Sequence, residues 1–142
     1  MPRISDDENQ LIGDIYDAAL EPGLWQRVLE NIASLAGANS ATITALDTLN
    51  PDYTFAFNHN IPDDVMRVYR EEGFDVHEME LHGKAMIAKG VGESILSTTL
   101  YGTQEDYVRI AGTYYERIQK PANVHYLAGA LLEYSEYRWA AL

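Results

Sequence analysis

The chain has 142 residues, of which 46% are hydrophobic and 23% charged, and 10 Lys and Arg against 22 Asp and Glu give a net charge of −12. This length predicts one domain, and the acidic balance argues against direct contact with nucleic acid or anionic membranes, which proteins hold with Lys and Arg. The sequence has no Cys, which excludes disulfide and thiolate chemistry and is compatible with a cytoplasmic location.

Two amphipathic helices are predicted within residues 1–38. Ser5 and Glu8 form an S-x-x-E capping box before apolar residues that recur at helical spacing. A Pro-Gly pair interrupts this pattern, and a second apolar stripe then runs to Gly37, which suits the end of a helix. The acidic, polar start of the segment predicts no signal peptide.

The second of these helices carries a candidate homodimer interface. Trp25, Leu29 and Ile32 lie on one stripe. The two stripes together offer more apolar surface than one sheet needs, so we expect these three residues to contact a second copy. In the alternative, both helices merely cover the sheet.

A hairpin of two strands is predicted next. Residues 40–47, SATITALD, alternate and are rich in β-branched side chains, and residues 53–59, YTFAFNH, follow a turn. The second strand has a ring at every second position, and strict alternation places these rings on one face. They are Tyr53, Phe55, Phe57 and His59.

The rest of the chain completes an α+β pattern. It predicts a helix at residues 62–73, a short helix or ordered loop at 74–90 and a short strand at 93–96. A helix at 103–120 and two strands at 123–134 and 137–142 follow. Hairpins and one long crossover join the strands. We therefore expect an antiparallel sheet flanked by helices.

Aromatic residues supply a candidate ligand pocket. The chain has 10 Tyr, and a buried Tyr needs a partner for its hydroxyl, which a polar ligand or a water can provide. Rings on the predicted helices could meet the aromatic strand face around a mostly apolar cavity. The predicted ligand-binding residues are Phe55, Phe57, His59, Tyr69, Phe74, Tyr114 and Tyr115. In the alternative, these rings fill the core.

The segment HEMELH, residues 77–82, resembles a zinc-protease helix but is one residue too long. His77 and His82 lie about 140° apart around a helix, so they cannot hold one metal from one face. Glu78 and His82 could form half a site, without an obvious third ligand. We expect no metal, no cofactor and no catalytic activity; the alternative is a metal-dependent enzyme that uses this pair.

Two stretches resemble a known family. The first is IYDAALEPGLWQRVLENIASLAGANSATI, residues 15–43, with I-Y-D-A-A-L, a Pro-containing turn, L-W, and a helix ending in L-x-G-A before the first strand. The second is YYERIQKPANVHYLAGALLE, residues 114–133, a helix ending in Pro before a strand with small residues. Both are similar to the sensor region of a group of LuxR-type transcriptional regulators. Residues 60–100 show no such match.

The resemblance implies a PAS- or GAF-like sensing domain that binds a small-molecule effector and regulates an attached DNA-binding domain through dimer geometry. We expect one sensor-like domain over residues 1–142, with the helical pair at 1–38 and the sheet with helices at 39–142. No basic recognition helix occurs here, so the DNA-binding domain is expected to be absent from this chain. Whether it follows in a longer protein stays open. The alternative function is a protein-interaction or dimerisation module with a filled core.

Overall fold

The computed structural model describes residues 2–142 and divides into two compact units. The first contains the described residues up to Ile43 together with Ala56–Asn60, and the second contains Thr44–Phe55 and Ile61–Leu142. The single-domain layout stays a prediction. Met1, in the predicted segment 1–38, lies outside the described residues.

Helix α1, Asp6–Leu20, begins with the predicted capping box. The Ser5 hydroxyl accepts a hydrogen bond from the Glu8 N–H at 3.2 Å, and the Glu8 carboxylate accepts one from the Ser5 N–H at 2.7 Å. Two of the N–H groups that a helix start leaves without partners are thereby satisfied.

Helix α2, Trp25–Ala36, follows a 3-10 turn at Pro22–Leu24 and ends at Gly37. Gly37 has the left-handed φ of 66° that closes many helices and that glycine adopts without a Cβ clash. The prediction of this helix end is confirmed. Helices α1 and α2 pack against each other. The first unit buries mainly small and aliphatic side chains: Ala18, Val28, Leu29, Ala33 and Ile43.

In the described residues the strands form a five-stranded antiparallel sheet. The strands are β1 (Ala41–Asp47), β2 (Phe55–His59), β3 (Ser94–Leu96), β4 (Ala128–Tyr134) and β5 (Arg138–Ala141), and their order is β2-β1-β5-β4-β3. Within the second unit, Asp47 of β1 pairs with Arg138 of β5. The predicted α+β class, an antiparallel sheet with helices as in PAS- and GAF-like domains, is confirmed.

Two predicted strand boundaries are wrong. Tyr53 lies in a 3-10 turn, Pro51–Tyr53, and is exposed, so it does not belong to the ring face of β2. The N–H of Asn123 bonds to the carbonyl of Lys120, and Asn123 has a positive φ, so the backbone there still closes the preceding helical turn. Strand β4 therefore begins only at Ala128.

The helices of the second unit include two π-helical segments. The helices are α3 (Asp63–Glu71), α4 (Phe74–Glu78), α5 (Lys84–Lys89), α6 (Ser97–Tyr101) and α7 (Gln104–Ala111). The π-helical segments are Met79–Gly83, which joins α4 to α5, and Tyr115–Gln119, which follows α7.

Two glycines lie at irregular points of these helices. Residues 74–89 are helical, one of the two predicted alternatives, and at Gly83 the Met79 sulfur occupies the place where a Cβ would lie. The helix predicted over 103–120 is interrupted after Ala111, where Gly112 has a φ of 54° and a ψ of −120°, which other residues rarely adopt.

The main core of the second unit is an aromatic and aliphatic cluster. Its buried members include Val65, Phe74, Leu81, Tyr107, Tyr114, Tyr115 and Ile118. Among the helices described in residues 2–142, none is long and apolar enough to cross a bilayer.

Candidate functional site

A buried chain of three hydrogen-bonded polar side chains lies in the second unit. His82 belongs to the first π-helical segment, Tyr107 to α7 and Gln119 to the second π-helical segment. The Tyr107 hydroxyl donates to Gln119 Oε1 at 2.6 Å, and His82 Nε2 lies 3.0 Å from the same hydroxyl. Because the Tyr107 proton goes to Gln119, His82 Nε2 acts as the donor and His82 Nδ1 is left as an acceptor.

Both ends of this chain carry a buried polar atom without a hydrogen-bond partner in the described structure. These atoms are His82 Nδ1 and Gln119 Nε2, and the two residues are only 3% and 2% exposed. Leaving such a group unsatisfied costs about 1–3 kcal/mol. One end is an acceptor and the other a donor, and a hydroxyl or an amide can partner either kind of atom.

The three hydrogen-bonded side chains, His82, Tyr107 and Gln119, are uncharged near neutral pH. Burial lowers the pKa of His82 to about 4. Burial is also the largest of the causes that raise the pKa of Tyr107 to about 12. The chain therefore acts through hydrogen bonds rather than charge near neutral pH, and nothing in it is poised to exchange a proton there.

Tyr69 and Glu78 form a second polar pair in the second unit. The Tyr69 hydroxyl donates a hydrogen bond to the Glu78 carboxylate. Burial is the largest influence on the pKa of Glu78 and raises it, while the bond from Tyr69 acts in the opposite direction. Glu78 and His82, the predicted half of a metal site, thus bind different tyrosines.

A surface cleft of about 390 Å³ opens beside the buried chain. Its lining residues are Val76, His77, Glu80, Leu81, Tyr101, Ile110 and Ala111. The Tyr101 hydroxyl donates to the Leu81 carbonyl at 2.5 Å, and the Tyr101 ring centroid lies 5.8 Å from that of Tyr107. Tyr101 therefore contacts both the cleft and the tyrosine at the centre of the buried chain.

The predicted ligand-binding residues fall into two groups. Tyr69, Phe74, Tyr114 and Tyr115 come together in the core of the second unit, where the Phe74 and Tyr114 rings pack edge-to-face at 6.1 Å. Phe55 also lies in the second unit and is half-buried, whereas Phe57 and His59 are half-buried in the first unit. The lining of the 390 Å³ cleft includes none of these seven described residues. Their ligand-binding role stays a prediction.

The predicted dimer residues differ in exposure. Leu29 is fully buried within the chain, while Trp25 and Ile32 are half-buried and retain some surface. The homodimer stays a prediction, and Trp25 and Ile32 are the two residues that could present surface to a partner.

Metal binding was predicted to be absent. Within residues 2–142, no group of three or more His, Asp and Glu is arranged to hold a metal ion. His77 is exposed and His82 buried, so the two side chains do not share a face. The absence of a metal stays a prediction.

Sequence reasoning missed three residues of this site. Tyr101, Tyr107 and Gln119 were not singled out, and His82 was considered only as a metal ligand. The available signal was the high Tyr content, because a tyrosine on a buried helical stripe needs a partner for its hydroxyl. Nothing in the sequence identified Gln119 as that partner.

Comparison with protein-family models, with curated proteins and with solved structures finds no match for this chain.

Proposed function

We propose that this chain is a non-enzymatic, small-molecule-sensing domain of a LuxR-type transcriptional regulator, and that it binds its effector in the second unit. The observation that carries the proposal is the buried chain of His82, Tyr107 and Gln119, which ends in an unpartnered acceptor and an unpartnered donor. Native proteins seldom leave such groups unsatisfied, so each calls for an explanation. These three side chains lie in an α+β fold of the class that we expect for a sensor.

The cleft beside Tyr101 indicates the chemistry of the effector. A volume of about 390 Å³ lies within the range usual for small-molecule sites, and mostly apolar side chains line the cleft. Glu80 lines the cleft and forms an ion pair with Lys84 at 2.7 Å, while the whole chain carries a net charge of −12. The effector is therefore a small, largely apolar, neutral or cationic molecule with one hydroxyl or amide group, since an anion would be repelled.

Tyr101 is the element that we expect to move. It ends α6 and is followed by Gly102, whose φ of 86° glycine adopts readily. In the closed state, the Tyr101 hydroxyl binds the Leu81 carbonyl. An effector that displaces Tyr101 gains access to Tyr107 and its neighbours. Binding shifts the population between the two states only if the effector has a higher affinity for the open state.

The regulatory output that we propose is a change in homodimer geometry. Trp25 and Ile32 of α2 supply half-buried apolar surface for a second copy. The LuxR-type resemblance also favours a cytoplasmic location and a DNA-binding domain outside this chain.

A specific observation favours a second candidate function, a protein-interaction module with a filled core. Phe74 and Tyr114, two of the predicted pocket residues, are buried and pack against each other in the main cluster. If the unpartnered atoms of His82 and Gln119 bind ordered water instead of an effector, the second unit needs no ligand.

Titration with benzamide, followed by amide NMR, tests the sensor proposal. Benzamide combines an apolar ring with a group that donates and accepts hydrogen bonds, and benzoate has nearly the same shape with a negative charge. We expect benzamide to cause saturable shifts at Leu81, Ile110 and Ala111 with a Kd on the order of 1 mM. Benzoate should bind several-fold more weakly.

Tyr107→Phe serves as the matched variant in this experiment. It removes the hydroxyl that joins His82 to Gln119 and keeps the ring, so benzamide affinity should fall, and circular dichroism checks that the variant is folded. Shifts that stay linear, or that spread over the surface without involving the cleft, would favour the interaction module.

A further inference from the structure

Helix α1 carries two apolar faces instead of one. The inner face contains the buried Ala18 and the half-buried Leu11 and Ile15. The outer stripe, a name used here for Ile12, Tyr16 and Leu20, is 42%, 72% and 89% exposed. A surface helix ordinarily has one apolar stripe facing the core and a polar opposite side.

The residues of the outer stripe form a line along the helix. Their spacing of four places them on one side of α1 over about 12 Å, because each residue adds 1.5 Å. Single exposed apolar side chains are common and need no explanation, but a contiguous line of large ones marks an interaction site. Asn9, one turn before Ile12, and Gly13, between Ile12 and Tyr16, add no large side chain that would cover the stripe.

The charged side chains of helix α1 itself have one sign. Helix α1 contains five acidic residues and no Lys or Arg: Asp6, Asp7, Glu8, Asp14 and Asp17. At 100° per residue, Asp6 and Asp17 lie along one edge of the stripe, and Glu8 lies on the other side, one turn before Ile12. The stripe is thus an apolar line with acidic side chains along one edge and at its start.

We propose that the outer stripe of α1 docks a basic amphipathic helix of another protein. An apolar face on that helix would cover Ile12, Tyr16 and Leu20, and Lys or Arg beside it would meet the acidic side chains of α1. A second copy of this chain fits less well, because it would set Asp6, Glu8 and Asp17 against the same acids of its partner. This proposal is independent of small-molecule binding in the second unit.

Fluorescence anisotropy with labelled peptides of about 18 residues, a length that can form a helix on binding, tests the proposal. The first peptide has Leu at helical spacing with flanking Lys. The second has the same composition in scrambled order and controls for attraction of any polycation to an acidic protein. The third replaces Lys by Glu. We expect the first peptide to bind at least about tenfold more tightly than either control.

Matched variants of the protein locate the binding surface. Tyr16→Gln with Leu20→Gln removes the apolar line while keeping the charge and a good helix former at each position. Its control is Leu49→Gln with Tyr126→Gln, which removes two apolar side chains exposed elsewhere. We expect the first double variant to lose at least about tenfold in affinity for the amphipathic Lys peptide and the control to bind like wild type.

Three outcomes would overturn the proposal. The scrambled peptide could bind as tightly as the amphipathic one, which would reduce the effect to net charge. The Tyr16→Gln, Leu20→Gln variant could bind unchanged, with circular dichroism showing intact helix. Light scattering could also show a dimer that this variant alone converts to monomer, in which case a second copy covers the stripe.

Discussion

His82 Nε2 and the Tyr107 hydroxyl lie 3.0 Å apart in the core of the second unit, and this contact links two helices that are far apart in sequence. Tyr107 in turn donates to Gln119, so one hydroxyl serves as acceptor and donor at once. A buried polar network of this kind stabilises one arrangement of the core only while each member keeps its partner.

The low pKa of His82 predicts a loss of stability in acid. Its pKa is about 4 in the folded protein and about 6.5 when unfolded. Between these values the unfolded chain binds more protons, so stability falls as the pH drops from 6.5 towards 4, by up to about 3 kcal/mol. Urea unfolding at several pH values should show this slope in wild type and a shallower one in His82→Gln. His77→Gln, at an exposed site, should keep the wild-type slope; equal slopes in all three would contradict the prediction.

The hydrogen bond from Tyr69 to Glu78 predicts a substitution whose effect depends on pH. Burial raises the pKa of Glu78, and the hydrogen bond from the Tyr69 hydroxyl acts against burial because it favours the charged form. Tyr69→Phe removes this bond, so it should destabilise the protein by up to about 1.5–3 kcal/mol near pH 7 and by less near pH 4, where a larger fraction of Glu78 is protonated. Unfolding curves at both pH values give the comparison. Tyr126→Phe, which removes an exposed hydroxyl, is the control and should have little effect at either pH.

Two glycines with different backbone angles predict opposite responses to alanine. Gly112 has a φ of 54° and a ψ of −120°, so Gly112→Ala should destabilise by about 1–3 kcal/mol. Gly13 lies within α1, and a Cβ there would meet no atom within 4 Å. Gly13→Ala should therefore stabilise by about 0.5–1 kcal/mol. Thermal and urea unfolding of both variants would refute this account if their effects had the same sign.

Substitutions at Trp25 and Leu29 distinguish a loss of the predicted dimer from a loss of core packing. Trp25→Ala should convert a homodimer to monomer while the fold persists, because Trp25 keeps surface that a partner can cover. Leu29→Ala should instead lower the stability of the fold by about 2–5 kcal/mol, since Leu29 is fully buried. Light scattering and urea unfolding measure the two effects. A mass that Trp25→Ala leaves unchanged would rule out the interface.

Local signals predicted much of the fold. Ser5 with Glu8 caps the start of α1, and the left-handed Gly37 ends α2. Each signal acts within one helical turn, so the sequence pattern identified both boundaries. The aromatic alternation of residues 53–59 was less informative. A 3-10 turn begins at Pro51 and includes Tyr53, so β2 begins only at Phe55. A strand begins where its backbone pairs with a neighbouring strand, and the alternation of side chains in the sequence does not show where that pairing starts.

The site was harder to predict because two of its residues lie outside regular α-helix. A helical pattern is read at 100° per residue, but His82 and Gln119 both lie in π-helical segments, where that spacing does not hold. Helix α1 shows a related limit. Its apolar residues were read as one stripe, whereas Ile15 is half-buried and Ile12 and Tyr16 are exposed.

The two π-helical segments give the chain an unusual sensitivity to changes in length. A wider turn holds one more residue than an α-helical turn, so deleting one residue from Met79–Gly83 or Tyr115–Gln119 can restore a regular helix. Such a deletion would leave the helix intact and rotate its polar residue by about 100° relative to one flank. The partnership of His82, Tyr107 and Gln119 thus depends on how many residues each turn contains as much as on which residues they are.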